Sequence, residues 1–249
     1  MLPSERVKKV MLEKLERHNR EYAREYVVRV LKHNIINFNL KPGQLVSENE
    51  IAEALEVSRT PVREAFLELS RASLVEIYPQ KGTCISLIDM DVVEEIRFMR
   101  SVVEKAIAKL SCDALTESDF NYLENNLQLQ ENYVASKDYK RFLSLDDSFH
   151  EYMFKACKKK MTYDIIKSAM AQLDRVRILN FVEMDMQKSV KEHREILQAI
   201  KNKDKEMAET LMEKHLTRVI SDMSYLKSKH PEYFKSDSTK ISKLDLIWG

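Results

Sequence analysis

The stretch VSRTPVREA, residues 57–65, decides how the first part of this chain folds. Ser58 or Thr60 can cap a helix, and Pro61 is tolerated only in a first turn, so a helix begins here. Apolar residues recur beyond it at spacings of four and three, which predicts one buried stripe on this helix. The stripe consists of Val62, Phe66 and Leu69.

Two arginines of this helix are predicted to lie on its outward face, one turn apart. Arg59 and Arg63 are close to the helix N-terminus, where guanidinium groups can enter a major groove and pair with guanine. A second helix is predicted just before it, because SENE, residues 47–50, is a capping box. A first helix, residues 22–38, ends at the turn LKPG, residues 40–43. The order predicts a helix-turn-helix.

Two β-type segments follow the third helix. LVEIY, residues 74–78, and TCISL, residues 83–87, flank the turn PQKG, residues 79–82, which predicts a hairpin with a basic tip. Such a hairpin is a wing, in which Lys81 and the backbone of Gly82 can meet phosphate or the minor groove.

The composition limits the function classes. A net charge of only +1 means that any nucleic-acid binding must come from a local basic patch. No apolar run is long enough for a membrane helix and the N-terminus has no signal-peptide core, so we expect a cytoplasmic protein without a membrane partner. The three cysteines are widely spaced, which argues against a disulfide framework or a thiolate zinc site.

Glycine and proline are absent between Gly82 and Pro231, which predicts an all-α second part. We therefore expect a mainly α protein: an N-terminal winged helix-turn-helix domain plus a C-terminal bundle of about six helices. The predicted helices of the bundle are residues 91–110, 117–134, 139–157, 161–181, 184–200 and 203–226. The predicted domains are an N-terminal extra helix within 1–21, the winged domain 22–88, an all-helical domain 89–230, and a tail 231–249.

Three histidines lie on core-facing stripes of the predicted bundle. Asp146 and His150 are four residues apart on one helix face, while His193 and His215 lie on two other helices. Burying these groups together is costly unless a divalent cation or a hydrogen-bond network compensates. The spacing alone leaves a metal site and a polar structural network equally open.

The first part of the chain resembles the winged head of the GntR family of bacterial regulators. The resemblance rests on LKPG, VSRTPVREA and the Lys81–Gly82 tip. It implies that the DNA-contacting residues are Ser58, Arg59, Thr60, Arg63, Lys81 and Gly82. The chain departs from the family at Asn49, where some relatives carry arginine, at Glu56, where glycine is usual, and at Ala72-Ser73, where an acidic residue and glycine are usual.

The second part resembles the FCD sensor domain of the FadR subgroup. The matching stretches are RSVVE (100–104), LDDSFH (145–150), SVKEHREILQAI (189–200) and KHL (214–216). In metal-containing members the corresponding positions bind one cation, here expected to be zinc, nickel or manganese. The resemblance assigns this role to Asp146, His150, His193 and His215, in preference to Asp147, and we expect Arg100 to bind the effector.

Together these features predict a sequence-specific transcription regulator, expected to be a repressor. As a homodimer it would read a palindromic DNA operator and respond to an organic acid or related metabolite bound near the metal; the metal set argues against an acyl-CoA effector. One alternative is a metal-dependent enzyme, although no general base is evident beside the cluster. The other is a regulator whose metal is purely structural.

Overall fold

The computed structural model describes residues 10–236, which divide into two compact units. The unit called the head here comprises residues up to Ile88 together with the segment that begins at Glu232. The unit called the bundle comprises Asp89–Pro231. Within the described residues, no helix is long and apolar enough to cross a membrane.

The head contains three helices and a small antiparallel sheet, as expected for a winged helix-turn-helix. Strand β3 pairs with β1 on one side and with β2 on the other, and Ile77 lies opposite Thr83 in the β2–β3 hairpin. The elements are α1 (Ala23–Ile36), β1 (Leu45–Val46), α2 (Glu48–Leu55), α3 (Arg59–Arg71), β2 (Val75–Tyr78) and β3 (Gly82–Ile85). The short strand β1 was not predicted, because two residues give no period-2 pattern.

The capping box and the apolar stripe predicted in the head are confirmed, whereas the predicted side-chain cap of α3 is not formed. The Ser47 hydroxyl accepts from the Glu50 amide at 3.2 Å, and the Glu50 carboxylate accepts from the Ser47 amide at 2.8 Å, which completes the capping box of α2. Ser58 is the N-cap residue of α3 by position, but its side chain makes no cap hydrogen bond. The predicted apolar stripe of α3 is buried: Val62, Phe66 and Leu69.

Both turns that depart from the family pattern have left-handed backbone. Glu56 at the end of α2 has φ +57°, and Ser73 after α3 also has φ +57°. A residue with a side chain is strained in this region, whereas glycine is not. Gly82 has φ +113°, and a Cβ atom there would lie 3.1 Å from the Val46 carbonyl oxygen, so the first residue of β3 is restricted to glycine.

The prediction of an extra N-terminal helix was wrong for its described part. Residues 10–18 are not helical, and Met11, expected on an apolar face, is 85% exposed. The backbone of Glu13 instead bonds to the side chain of buried Asn34, with its amide donating at 2.8 Å and its carbonyl accepting at 3.0 Å. A helix would use these same groups internally, so this contact favours an extended segment. Residues 1–9 of the predicted helix lie outside the described residues.

The first residues of the predicted tail pack on the head. Ile88 donates its amide to the Tyr233 carbonyl at 2.8 Å and accepts from the Lys235 amide at 3.0 Å. Phe234 is buried, and the Tyr233 ring stacks on Phe38 with centroids 5.5 Å apart. The chain therefore passes between the two units twice, once after Ile88 and once after Pro231.

Within the described residues the bundle has eight helices, two more than predicted. They are α4 (Met90–Ala114), α5 (Glu117–Ser136), α6 (Tyr139–Ala156), α7 (Lys160–Ala169), α8 (Ala171–Glu183), α9 (Gln187–Lys201), α10 (Lys205–Ser221) and α11 (Met223–Lys229). The two additional helix boundaries, which split predicted single helices, lie at Met170 and Asp222, where the sequence has no glycine or proline. Tertiary contacts accompany both: Lys167 reaches across to Asp174 at 2.8 Å, and Asn180 donates to Asp222 at 2.9 Å.

The buried face of α4 is rotated relative to the prediction. The apolar spacing of residues 92–110 predicts that Leu110 faces inward and that Arg100 and Glu104 lie beside the buried stripe, but Leu110 is 46% exposed and both charged residues are buried. The apolar periodicity could not show this, because the two charged residues neutralise each other inside the bundle. The Arg100 guanidinium donates to the Glu104 carboxylate at 2.5 Å.

Candidate metal centre and DNA-reading surface

Four side chains from three helices meet inside the bundle. Asp146 and His150 come from α6, His193 from α9 and His215 from α10, and all four are buried. One potential ligand atom from each lies within 4.8 Å of the others. The structure therefore brings together the four residues that sequence reasoning selected.

The three imidazoles present their Nε2 atoms to one another. The Nε2 atom of His215 lies 3.2 Å from that of His193 and 3.3 Å from that of His150. The carboxylate of Asp146 closes the group, with oxygens 3.6 Å from His193 Nε2 and 3.8 Å from His150 Nε2. Zinc binds imidazole nitrogen at 2.0–2.1 Å, so two imidazoles on one tetrahedral ion would be separated by roughly 3.3 Å.

The opposite ring atom of each histidine faces an acceptor. His193 Nδ1 lies 3.0 Å from the Gln130 amide oxygen, and His215 Nδ1 lies 2.8 Å from the Glu192 carboxylate. His150 Nδ1 lies 2.5 Å from the Glu104 carboxylate. The contacts of His193 and His215 place a proton on Nδ1, and the close carboxylate of Glu104 favours the same form of His150, so that three Nε2 lone pairs converge on one point. A cation at that point relieves the repulsion, so the donor set fits a divalent metal.

Electrostatics hold three of the candidate ligands in the forms that bind a metal. Burial would raise the pKa of Asp146, but Arg177 and the neighbouring histidines together outweigh burial and keep that pKa well below its usual range. Burial lowers the pKa of His193, and the neighbouring His215 lowers it further. Burial also lowers the pKa of His215 despite its bond to Glu192. The result is the Asp146 carboxylate beside two neutral imidazoles, those of His193 and His215.

Asp147 takes part in a different group of charges. Its carboxylate pairs with Lys167 at 2.6 Å and with Arg177 at 2.8 Å. Arg177 also pairs with Asp174 at 2.6 Å and donates to the Asp146 carboxylate. Asp147 thus helps to hold the guanidinium that orients Asp146, which agrees with choosing Asp146 over Asp147 as the ligand candidate.

A cavity of about 40 Å³ adjoins the candidate ligands within the bundle. By this measure one water needs at least 10–15 Å³, so there is room for more than one water. Asp146 and His215 form part of its wall, and the rest includes apolar side chains such as Leu173 and Phe181. Its basic lining residues are Arg97, Arg100, Arg177 and Arg218. Four guanidinium groups around one small space favour an anion.

Sequence reasoning missed the residues that surround the ligands. Gln130, Glu192, Arg177 and Arg218 are polar residues on helices, and apolar periodicity assigns such residues to the surface by default. Only the i, i+4 pair of Arg100 and Glu104 left a local signal. The other contacts join helices far apart in the sequence, such as the one between Gln130 and His193.

In the head, the predicted DNA-contacting side chains of α3 are solvent-exposed around its N-terminus. Arg59 pairs with Glu48 at 3.1 Å and remains 66% exposed. Lys81 is exposed at the hairpin tip, where its amide donates to the Tyr78 carbonyl at 3.1 Å. The exposed α3 residues of the predicted set are Ser58, Arg59, Thr60 and Arg63.

Two family models match the chain. The model "Bacterial regulatory proteins, gntR family" covers residues 23–85, and the FCD domain model covers residues 95–218. The HTH-type transcriptional repressor RspR of Escherichia coli is 29% identical over 86% of this chain and 94% of its own length. An HTH-type transcriptional regulator of Streptomyces ambofaciens is 31% identical over 85% of this chain and 89% of its own.

Among solved structures, the chain is similar to Escherichia coli McbR/YncC. The TM-score is 0.70 at 20% sequence identity, over 84% of this chain and 99% of the other, which shows a shared fold. Head and bundle thus define a DNA-binding regulator with a separate ligand-sensing domain. The chain belongs to the GntR family of transcription regulators, with a C-terminal FCD domain, and it is not an enzyme.

Proposed function

We propose that this regulator binds a divalent metal at Asp146, His150, His193 and His215, and binds an organic acid in the adjoining cavity. The proposal is carried by the convergence of the Nε2 atoms of three imidazole rings beside a cavity lined by four arginines. The Nδ1 atom of each ring faces an acceptor. The metal would supply a fixed positive charge and an open position for a carboxylate oxygen. Zinc, nickel and manganese all suit imidazole and carboxylate ligands.

On the DNA side, we propose that Ser58, Thr60 and the two arginines of α3 contact the operator, with Lys81 and Gly82 at the wing. Arg59 and Arg63 would read base edges, and the wing would contact the phosphate backbone. A homodimer would place two heads on a palindromic operator. The same proposal includes three further points: the chain belongs to the FadR subgroup, it acts as a repressor, and it is located in the cytoplasm. Repressor action is the role given in the name of RspR.

Metal analysis of the full-length protein, purified without chelator, tests the metal site. We expect about one equivalent per chain, and loss of the metal in His193→Ala, because removal of one ligand opens the shell. His230→Ala is the matched control: His230 lies in the bundle, pairs with Glu183 at 3.0 Å and is not part of the candidate site. Metal-free protein, or equal loss of metal in both variants, would contradict the site.

Operator binding tests whether the metal serves sensing or only structure. With chelator present, we expect the protein to bind its operator and to lose the response to its effector, because the head is a compact unit separate from the one that contains the candidate metal site. A full effector response after complete metal removal would contradict a sensing role. Loss of bundle folding under the same conditions would instead favour a purely structural metal.

A further inference from the structure

The acids that hold two candidate metal ligands are themselves held by arginines of the cavity wall. Glu192 accepts from His215 Nδ1 at 2.8 Å, and from the Arg218 guanidinium at 3.0 Å. Arg218 is fixed by a second donor bond, from Nη2 to the Ser189 hydroxyl at 2.5 Å. Arg218 thus lines the cavity and, through the carboxylate of Glu192, orients the candidate metal ligand His215.

The same arrangement occurs on the other side of the cluster. Glu104 lies 2.5 Å from His150 Nδ1, and 2.5 Å from the Nε atom of Arg100. The acid therefore bridges a guanidinium of the cavity wall and a candidate metal ligand.

Two further side chains serve as internal comparisons. His193 is held by Gln130, whose amide nitrogen bonds to Asn126 at 2.7 Å, so its partner is a neutral amide rather than an acid held by arginine. Arg97 lines the same cavity but pairs with Glu94 on its own helix, at 2.8 Å. We use relay for an arginine of the cavity wall, the acid it fixes and the histidine that this acid orients. His193 is a candidate ligand outside any relay, and Arg97 is a cavity arginine outside any relay.

We propose that Arg218, and in parallel Arg100, are positioning residues that couple the anion in the cavity to the metal. Each guanidinium faces the anion and at the same time fixes the acid that orients His215 or His150. Metal and anion would then stabilise each other, with each relay transmitting part of the effect. This inference rests on the proposed function of the same site.

The sign of one effect separates positioning from simple charge. Because Arg218 and the metal are both positive, removing the charge of Arg218 should tighten metal binding if Coulomb repulsion alone mattered. Removing the group that fixes Glu192 should weaken it, because the His215 ring loses its orientation; loss of such an outer partner commonly costs about 10- to 100-fold in metal affinity. The two accounts therefore predict opposite directions for Arg218→Gln.

The experiment is a Zn²⁺ titration of the full chain against a chromophoric chelator, in chloride and in acetate at equal ionic strength. For the natural sequence we expect acetate to tighten Zn²⁺ binding by roughly 5-fold or more. In Arg218→Gln we expect the Zn²⁺ dissociation constant in chloride to rise by about 10-fold and the acetate effect to shrink. Arg218→Lys should recover part of both.

Arg97→Gln is the matched control in the same cavity. It should reduce the acetate effect without weakening Zn²⁺ binding in chloride, because its guanidinium fixes no acid that orients a candidate metal ligand. Unchanged or tighter Zn²⁺ binding in Arg218→Gln would overturn the relay, and so would equal weakening in Arg97→Gln. Glu192→Gln gives a second test, because it keeps an acceptor for His215 but loses the ionic bond to Arg218, and should also weaken Zn²⁺ binding.

Failure of the proposed function has a different signature. If the natural sequence takes up no Zn²⁺, both the metal site and the relay are wrong. If it takes up one equivalent and the Arg218 variants match it, only the relay is wrong. Circular dichroism of each variant confirms that a change in affinity is measured on folded protein.

Discussion

The two units of this protein use charged residues in opposite ways. In the head, Arg59 and Arg63 are exposed, and the described partner of Arg59 is one surface acid. In the bundle, Arg177 is 5% exposed and contacts three carboxylates at once. A head arginine can leave its partner for DNA at little cost in stability. A bundle arginine is part of the core, so changes there affect folding and ligand binding together.

The largest expected difference between the units is in stability. Arg177→Met should lower the free energy of unfolding by about 3–5 kcal/mol, because it removes the cation that holds the buried carboxylates of Asp146 and Asp174. Arg59→Met in the head should cost less than about 1 kcal/mol, as for other exposed ion pairs. Urea denaturation of both variants in the presence of chelator makes the comparison independent of the metal.

This comparison has a clear opposite outcome. If Arg177→Met cost no more than Arg59→Met, the charges of the bundle would be as loosely held as those of the head. The coupling argued for the cavity arginines would then lose its physical basis, since it requires side chains that cannot move independently.

The second difference concerns DNA binding. Arg63→Ala should weaken operator binding by about 1–3 kcal/mol and relax sequence preference, while thermal stability stays unchanged. Lys81→Ala should instead weaken all DNA alike and reduce the salt dependence of binding. Gel-shift titrations on operator and unrelated DNA at two salt concentrations measure both, and unchanged operator affinity in Arg63→Ala would remove α3 as the recognition helix.

The same contrast explains what the sequence could and could not predict. The fold of the head depends on local signals, such as the capping box at Ser47 and Pro61 in a first turn, and these are visible in one stretch of chain. The four candidate ligands were also predictable, through helical spacing and the family resemblance. The groups around them were not, because Gln130, Glu192 and Arg218 gain their roles only when distant helices pack together.

Helix ends show the same limit. The end of α7 at Ala169 has no glycine or proline, and contacts of Lys167 with Asp147 and Asp174 lie beside it. Residues 10–18 were predicted to be helical, but they are not, and Glu13 bonds to Asn34 instead. Neither feature leaves a local signal in the sequence, because both involve contacts between separate elements.

The smallest predicted effect tests how far local signals govern the head. Ser73 has φ +57° in the turn between α3 and β2, a conformation that glycine adopts without strain. Relative to Ser73→Ala, Ser73→Gly should therefore raise the free energy of unfolding by about 0.5–1 kcal/mol after allowing for the greater freedom of glycine in the unfolded chain. Ser73→Ala is the matched control, since it removes the hydroxyl but keeps the Cβ atom and its strain. If Ser73→Gly is more stable than Ser73→Ala, the difference measures the backbone effect. Equal stabilities of the two variants would mean that the turn tolerates a side chain without cost. The departure from the family pattern at this position would then be neutral.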